Sequence, residues 1–257
     1  MFISVIIPCK NEEMRVIPTL DIIYAYLSKQ SYQSEIIIVE NASTDRTREV
    51  VSAYIQNKKK DKKKELTSST DTPTNKSSFP TIHIISENHK GKGWAVKQGM
   101  LTAEGDYRLF TDADNSTDIT ELPKLLAEAE KGYDIVISSR KLKESKIINP
   151  QPFYRVWLGS LFSFIVKVIV PTGVKDTQNG FKLFSKMAAI ELFSRQRIYH
   201  WAFDVEILAL ALKLGLKIKE VPVVWANDNR SQMNFKGMCG MLFEVIQIRL
   251  HLLKMKR

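Results

Sequence analysis

The chain has 257 residues, 44% of them hydrophobic, enough for one large core or a core with an appendage. Lys and Arg number 38 against 28 Asp and Glu, a net charge of +10, so the surface favours anionic partners such as phosphates, nucleic acid or acidic lipid headgroups. Two cysteines, Cys9 and Cys239, exclude a disulfide-stapled scaffold and fit a reducing compartment, and zinc-ligand spacing is absent.

Phe2 to Ile7 is apolar but breaks at Pro8-Cys9-Lys10, too short for the core of a signal peptide, and reads as a buried strand over Ile3 to Ile7. Further β-branched runs predict strands at Glu35 to Glu40, Thr81 to Ser86, Tyr107 to Thr111 and Ile135 to Ser138. Helical patterns lie between them, near Val16 to Ser28, Asp45 to Ile55, Gly93 to Thr102 and Glu121 to Lys131. This alternation predicts an α/β fold, a mostly parallel sheet flanked by helices in the nucleotide-binding, Rossmann-like style. Asn57 to Phe79 interrupts the order with six lysines in Lys58 to Lys64, then Ser, Thr, Asn and Pro. With almost no apolar residues, 57–79 is expected to be a flexible insertion, a solvated loop rather than a basic arm for membrane or nucleic acid.

The second half is less regular. It predicts a helix near Val156 to Val170, a hairpin-like stretch around Asp176 to Phe184, a helix near Phe203 to Leu214 and a strand from Ile218 to Trp225. The longest apolar stretch, Trp157 to Val170, contains Gly159, two serines and Lys167 and falls short of the roughly 20 residues needed to cross a bilayer. No spanning helix is predicted. From Lys236 onward apolar residues recur at helical spacing, with Arg249, His251, Lys254, Lys256 and Arg257 clustering late. Residues 236–257 therefore read as a basic amphipathic C-terminal helix following a catalytic domain over 1–235, and that helix either lies in a membrane interface or packs onto the core.

Asp112-Ala113-Asp114 follows the strand Tyr107 to Thr111, at the sheet edge where open α/β folds bind ligands. Two carboxylates separated by one small residue can share a hard cation such as Mg²⁺ or Mn²⁺, completed by water and substrate phosphates. The same triplet also suits a turn that caps the next helix. Pro8 to Glu13 and Glu40 to Asp45 bring polar residues to the same edge, and Asn88-His89-Lys90-Gly91-Lys92-Gly93 has the paired glycines of a close backbone approach at a helix start, an anion site or a tight turn.

In this order the pieces resemble the family 2 glycosyltransferases of the GT-A fold, in particular the branch that glycosylates dolichyl or other polyprenyl phosphates. The resemblance is carried by Val5-Ile6-Ile7-Pro8 with Asn11-Glu12-Glu13, by Ile38 to Thr47, by Gly91-Lys92-Gly93 and by Thr111-Asp112-Ala113-Asp114. It continues through Ser138-Ser139-Arg140, Asp176 to Phe184, Phe203 to Leu208, and Glu220-Val221-Pro222-Val223 with Trp225, covering Ser4 to Ser231.

The resemblance implies that Pro8, Lys10, Glu12, Val39, Glu40 and Asn41 hold the nucleoside of a nucleotide sugar, with Asp45 supporting the pocket or capping its helix. The family's second strand ends in two acidic residues, glycine and serine, where this chain has Glu40-Asn41-Ala42-Ser43. Asp112 and Asp114 inherit the metal and sugar diphosphate, with Ala113 allowing close approach; Ser116 stands where mannosyl relatives carry a glutamine ligand. Lys92 and Arg140 are expected on the diphosphate, and Gln178 and Lys182 on an acceptor phosphate. Asp204 and Glu206 match the acidic pair that serves as base toward a hydroxyl acceptor. Ser231-Gln232 replaces the family's Ser-Lys pair, and Arg230 is expected to supply the missing cation to the donor.

The expected reaction is an inverting single displacement, with catalytic roles for Asp114, Arg140 and Asp204. UDP-glucose is the first donor and GDP-mannose the second, with a polyprenyl phosphate met peripherally on the cytosolic face of a membrane as acceptor. A glycan hydroxyl is the alternative acceptor. Nucleic acid is not an expected partner, because no recognition helix or aromatic-interleaved basic platform accompanies the lysines.

Overall fold

A computed structural model of the chain describes residues 1–68, 79–149, 153–227 and 235–255. The first half alternates as expected: β1 (Phe2–Cys9), α1 (Val16–Leu27), β2 (Gln33–Asn41), α2 (Thr47–Ser68), β3 (Thr81–Glu87), α3 (Lys92–Thr102), β4 (Tyr107–Thr111), α4 (Leu122–Ala129) and β5 (Ile135–Ser139). The second half adds β6 (Lys146–Ile148), α5 (Phe153–Ile169), β7 (Phe181–Ser185), α6 (Lys186–Arg195), α7 (Phe203–Lys213), β8 (Ile218–Pro222), β9 (Val224–Ala226) and α8 (Phe235–Lys254).

Seven strands form one sheet in the order β3-β2-β1-β4-β7-β5-β8. Every pairing is parallel except those of β7, which runs antiparallel to β4 and β5. The period-2 alternation of a strand buried on both faces sorts its side chains into two layers. Ile3, Val5 and Ile7 face a core shared with α1 and α4, while Ile6, Ile37, Val39 and Phe110 face a second core under α3, α6 and α7. A third cluster joins α5, α7 and α8 through residues such as Phe162, Val166, Val205, Met241, Val245 and Ile248.

Three expectations are corrected. Helix α2 continues through the lysine run to Ser68, so 57–68 is helix where a flexible insertion was expected; 69–78 lies outside the described residues. Lys and Glu are good helix formers, no Gly or Pro intervenes before Pro73, and Lys58 is held over the rings of Tyr24 and Tyr54 and 3.4 Å from Asp21. Asp176 to Phe184 is a loop followed by one strand inserted between β4 and β5, not a hairpin, because Asp176 and its neighbours are tied to Arg140 and Glu220 rather than to a returning strand. Ile218 to Trp225 is two strands: Pro222 ends the β8 ladder, and β9 leaves to pair with β6 in a separate two-stranded sheet. Strand β6 and helix α6 were not expected at all.

Candidate active site

The carboxyl ends of β1, β2, β4 and β5 share one edge, and the loops that leave them are tied to one another. Asn11, at φ +55°, accepts from the Thr44 amide at 2.8 Å, while its own amide donates to Ser43 Oγ at 3.1 Å. Asp45 caps α2 through the Thr47 amide at 3.0 Å and accepts from the Glu13 amide at 3.2 Å, so its capping and pocket-supporting roles are one arrangement. Burial pushes its carboxyl up, but these hydrogen bonds prevail and hold it below the ordinary range.

Glu40 is buried and accepts from the Ser43 amide at 2.6 Å. Asn41 donates to the His89 carbonyl at 2.5 Å and accepts from the Gly91 amide at 2.9 Å. An ionised carboxylate at this position could accept from Gly91 but could not donate to the His89 carbonyl, which gives a physical reason for Asn here. Gly91 itself sits at φ +137°, and a Cβ there would lie 2.1 Å from the Tyr199 carbonyl oxygen. No other residue fits.

At the centre lie three cation–carboxylate pairs. Lys92 Nζ is 2.7 Å from Asp112 Oδ1 and lies over the rings of Phe110 and Trp201. Arg140 forks onto Asp176 at 2.7 and 2.9 Å, adds its backbone amide at 3.0 Å, and stacks 5.3 Å from the Trp225 ring centroid. Lys182 Nζ reaches Asp204 Oδ1 at 2.6 Å and the Asn179 carbonyl at 2.5 Å, both side chains buried. Lys92 and Arg140 each also feel the charges of Asp112 and Asp204, so the pairs belong to one field.

Burial lowers Lys92, yet Asp112, Asp204 and Asp114 outweigh it and hold its ammonium above the ordinary value. Asp114 runs the other way. Burial and then the charge of Asp112 raise its carboxyl, against the Ser116 amide, which donates to it at 3.0 Å, and Lys92. Two carboxylates held together at this cost form a site that a hard cation would relieve. Among the described residues no cluster of three or more His, Cys, Asp or Glu side chains could hold a metal, so such an ion would take two protein carboxylates and fill its shell from a diphosphate and water. Gly180 completes the seat: its carbonyl accepts from the Asp112 amide at 3.1 Å, and a Cβ would fall 1.9 Å from Asp112 Oδ2.

The remaining expected residues are spread around this centre. Pro8 and Glu12 are half-buried and Lys10 exposed at the β1 end; Glu12 is paired with Arg15 at 2.6 Å. The Val39 side chain is core, packed near Gly99, and its strand position is flanked by Pro8 and Ile85 of the neighbouring strands, so it shapes the site from within the sheet. Ala113 turns its carbonyl to Thr19 Oγ1 at 2.8 Å. Gln178 contacts Met241 Sδ on α8 at 3.2 Å. Lys182 is enclosed beneath the site rather than presented at it. Glu206 accepts from the amides of Arg197 and Ile198 at 2.8 to 3.1 Å, so both its oxygens hold a loop and it is not placed as a base. Arg230 lies outside the described residues.

Asp176, Trp201, Trp225 and Gly180 were not assigned to the site from sequence. For Gly180 the Asn-Gly step was a usable signal; Asp176 opened a stretch that carried the family resemblance, but its pairing with Arg140, 36 residues away, could not be read from sequence.

Residues 4–193 match the family model described as Glycosyl transferase family 2. A dolichyl-phosphate beta-glucosyltransferase of Dictyostelium discoideum is 33% identical over 261 residues, covering 97% of this chain and 74% of that one. One from Drosophila melanogaster is 35% identical over 242 residues, covering 90% and 69%. Among solved structures, mannosyl-3-phosphoglycerate synthase from Rubrobacter xylanophilus has a TM-score of 0.69 at 18% identity, over 99% of this chain and 74% of that one. Glucosyl-3-phosphoglycerate synthase from Mycobacterium tuberculosis, in complex with Mn²⁺, UDP-glucose and phosphoglyceric acid, has 0.67 at 18% identity, over 99% and 80%. These two likenesses establish a common fold, the GT-A architecture.

Proposed function

The chain belongs to glycosyl transferase family 2 and is a hexosyltransferase, and from that premise we propose that it moves glucose from UDP-glucose to dolichyl phosphate at the cytosolic face of a membrane. The relatives' names support the sugar and the acceptor. The M. tuberculosis neighbour, crystallised with Mn²⁺ and UDP-glucose, supports the donor and a divalent ion.

The observation that carries the reading is the Lys182–Asp204 pair. The carboxylate best placed to act as a base is already bound to an ammonium at 2.6 Å inside the protein. A hydroxyl acceptor would need that base free, whereas a phosphate arrives ionised and needs none.

In the proposed reaction an acceptor phosphate oxygen attacks the anomeric carbon from the side opposite the leaving group. The new bond joins that carbon to the acceptor, the bond to the diphosphate breaks, and the nucleoside diphosphate leaves with the electron pair. Asp112 and Asp114 would hold Mg²⁺ or Mn²⁺, which when bound supplies positive charge to the diphosphate. Lys92 would exchange Asp112 for the departing oxygens, and Arg140, held by its fork to Asp176 with the Trp225 ring 5.3 Å away, would meet the same charge. The strand-end loops joined through Asn11, Asn41 and Asp45 would form the nucleoside pocket.

Competition between UDP-glucose and GDP-mannose in one reaction, with products read by mass, tests the donor. Glucosylated lipid alone is expected; mannosylated lipid in excess overturns the choice. Asp114→Ala should lower kcat about a thousandfold, the several kcal/mol that charge stabilisation by a metal provides, and near-normal turnover would remove the metal from the reading.

A further inference from the structure

Helix α8 shows two faces. Met241, Val245 and Ile248 point into the cluster shared with α5 and α7. Phe243, Ile246, Leu250 and Leu253 are 64, 48, 54 and 65% exposed. At 100° per residue these four fall within an arc of about 80°, a continuous apolar stripe. The neighbouring helix α5 adds Phe164 and Val168, one turn apart and 65 and 64% exposed. Six large apolar side chains in the open on two packed helices are more than scattered surface residues would give.

The charge on these helices is predominantly positive. By sequence α5 and α8 together contain five Lys or Arg (Arg155, Lys167, Lys236, Arg249 and Lys254) and one acid, Glu244. Glu244 is not at the surface stripe, since it accepts from the Ala202 amide at 3.0 Å. Arg249 and Lys213 line a groove whose walls include Leu212, Leu252 and Leu253. An apolar stripe edged by cations matches the acyl boundary and anionic headgroups of a bilayer. No helix of the described residues is long and apolar enough to cross one, so the contact is along the surface.

From this arrangement we infer that the paired outer faces of α5 and α8 form a docking surface that seats the protein on an anionic lipid bilayer and turns its acceptor side toward the headgroups. The orientation follows from the inner contacts of α8. Met241 meets Gln178, and Glu244 holds the Trp201–Ala202 turn, whose Trp201 ring lies over Lys92 and which leads directly to Asp204. Only this orientation toward an acceptor rests on the lipid-phosphate reading; the surface itself does not.

The test uses the full chain and vesicles of phosphatidylcholine with phosphatidylserine, containing no dolichyl phosphate. The protein should float with these vesicles, less with phosphatidylcholine alone, and less at high salt. Phe243→Ser/Leu250→Ser/Leu253→Ser and, separately, Phe164→Ser/Val168→Ser should each cut partitioning by roughly tenfold or more, with circular dichroism unchanged, because binding scales with buried apolar area. Turnover on a water-soluble short-chain isoprenyl phosphate should stay at the wild-type level in both variants. Wild-type protein that stays with the soluble fraction, variants that float as well as wild type, or a dimer lost on these substitutions would each overturn the inference. Flotation without turnover on any isoprenyl phosphate keeps the surface and removes the lipid acceptor. Turnover without flotation does the reverse.

Discussion

Single residues at this site act by holding one another's charge. Lys92 stands on Asp112, one of the two carboxylates that would hold a metal ion, and its ammonium is stabilised by three carboxylates. Lys92→Met should therefore tighten Mn²⁺ binding measured without nucleotide while lowering kcat roughly a hundredfold, the scale of one lost oxyanion donor. Unchanged Mn²⁺ affinity in a calorimetric titration would show that the lysine and the metal do not compete. Asp176 tests the second pair. Burial pushes its carboxyl up, but the Arg140 fork prevails and takes it down to about 2. A folded value below the unfolded one stabilises the protein above the unfolded value, and that contribution, about 2 kcal/mol, disappears as pH falls from about 4 toward 2. In urea titrations across this range, Arg140→Ala should begin less stable and change less with pH; a slope equal to wild type would separate the two residues. Most of these partnerships were invisible in the sequence. The triplet Asp112-Ala113-Asp114 could be read from its place after a strand, but that Asp204 is neutralised by Lys182 depends on two elements meeting in the core.

At the scale of elements, the legible parts were those whose pattern is local and periodic. Strands β1 to β5 and helices α1, α3 and α4 emerge within a residue or two of expectation, because runs of β-branched apolar residues and helical spacing leave strong marks. What escaped lacks such marks. Strand β6 is three exposed residues that exist only through pairing with β9. Strand β7 reads like any apolar run, and nothing local says that it enters the sheet backwards between β4 and β5. Helix α6 was readable and missed: Ser185 accepts from the Ala188 amide at 3.2 Å, a cap ahead of a run of good helix formers. The lysine-rich end of α2 was judged by its lack of apolar residues, although lysine favours helix when no Gly or Pro interrupts. The tie between β7 and α7 gives a prediction at this scale. Lys182→Met alone leaves a buried carboxylate unpaired and should cost about 3 to 5 kcal/mol in chemical denaturation. Adding Asp204→Leu should restore much of that stability, and a double variant no better than the single would mean that the pair is not coupled.

Across the whole molecule, one sheet edge holds the loops proposed to bind the donor, and the far side of the same centre is closed by α7 with α5 and α8 beyond it. The fold therefore sets a side of loops and strand ends against a helix-built side whose outer surface is apolar and basic. That polarity suits a donor from solution and an acceptor phosphate from a membrane, and it is the physical content of the proposed function. The most direct measurement is the product formed when purified protein, UDP-glucose and Mn²⁺ are given dolichyl phosphate and a glycan hydroxyl acceptor together, read by mass with Asp204→Asn alongside. The account predicts glucosyl phosphodolichol and UDP, with the glycan unmodified and Asp204→Asn impaired without any switch of acceptor. Glucose appearing on the glycan, abolished by Asp204→Asn, would contradict it.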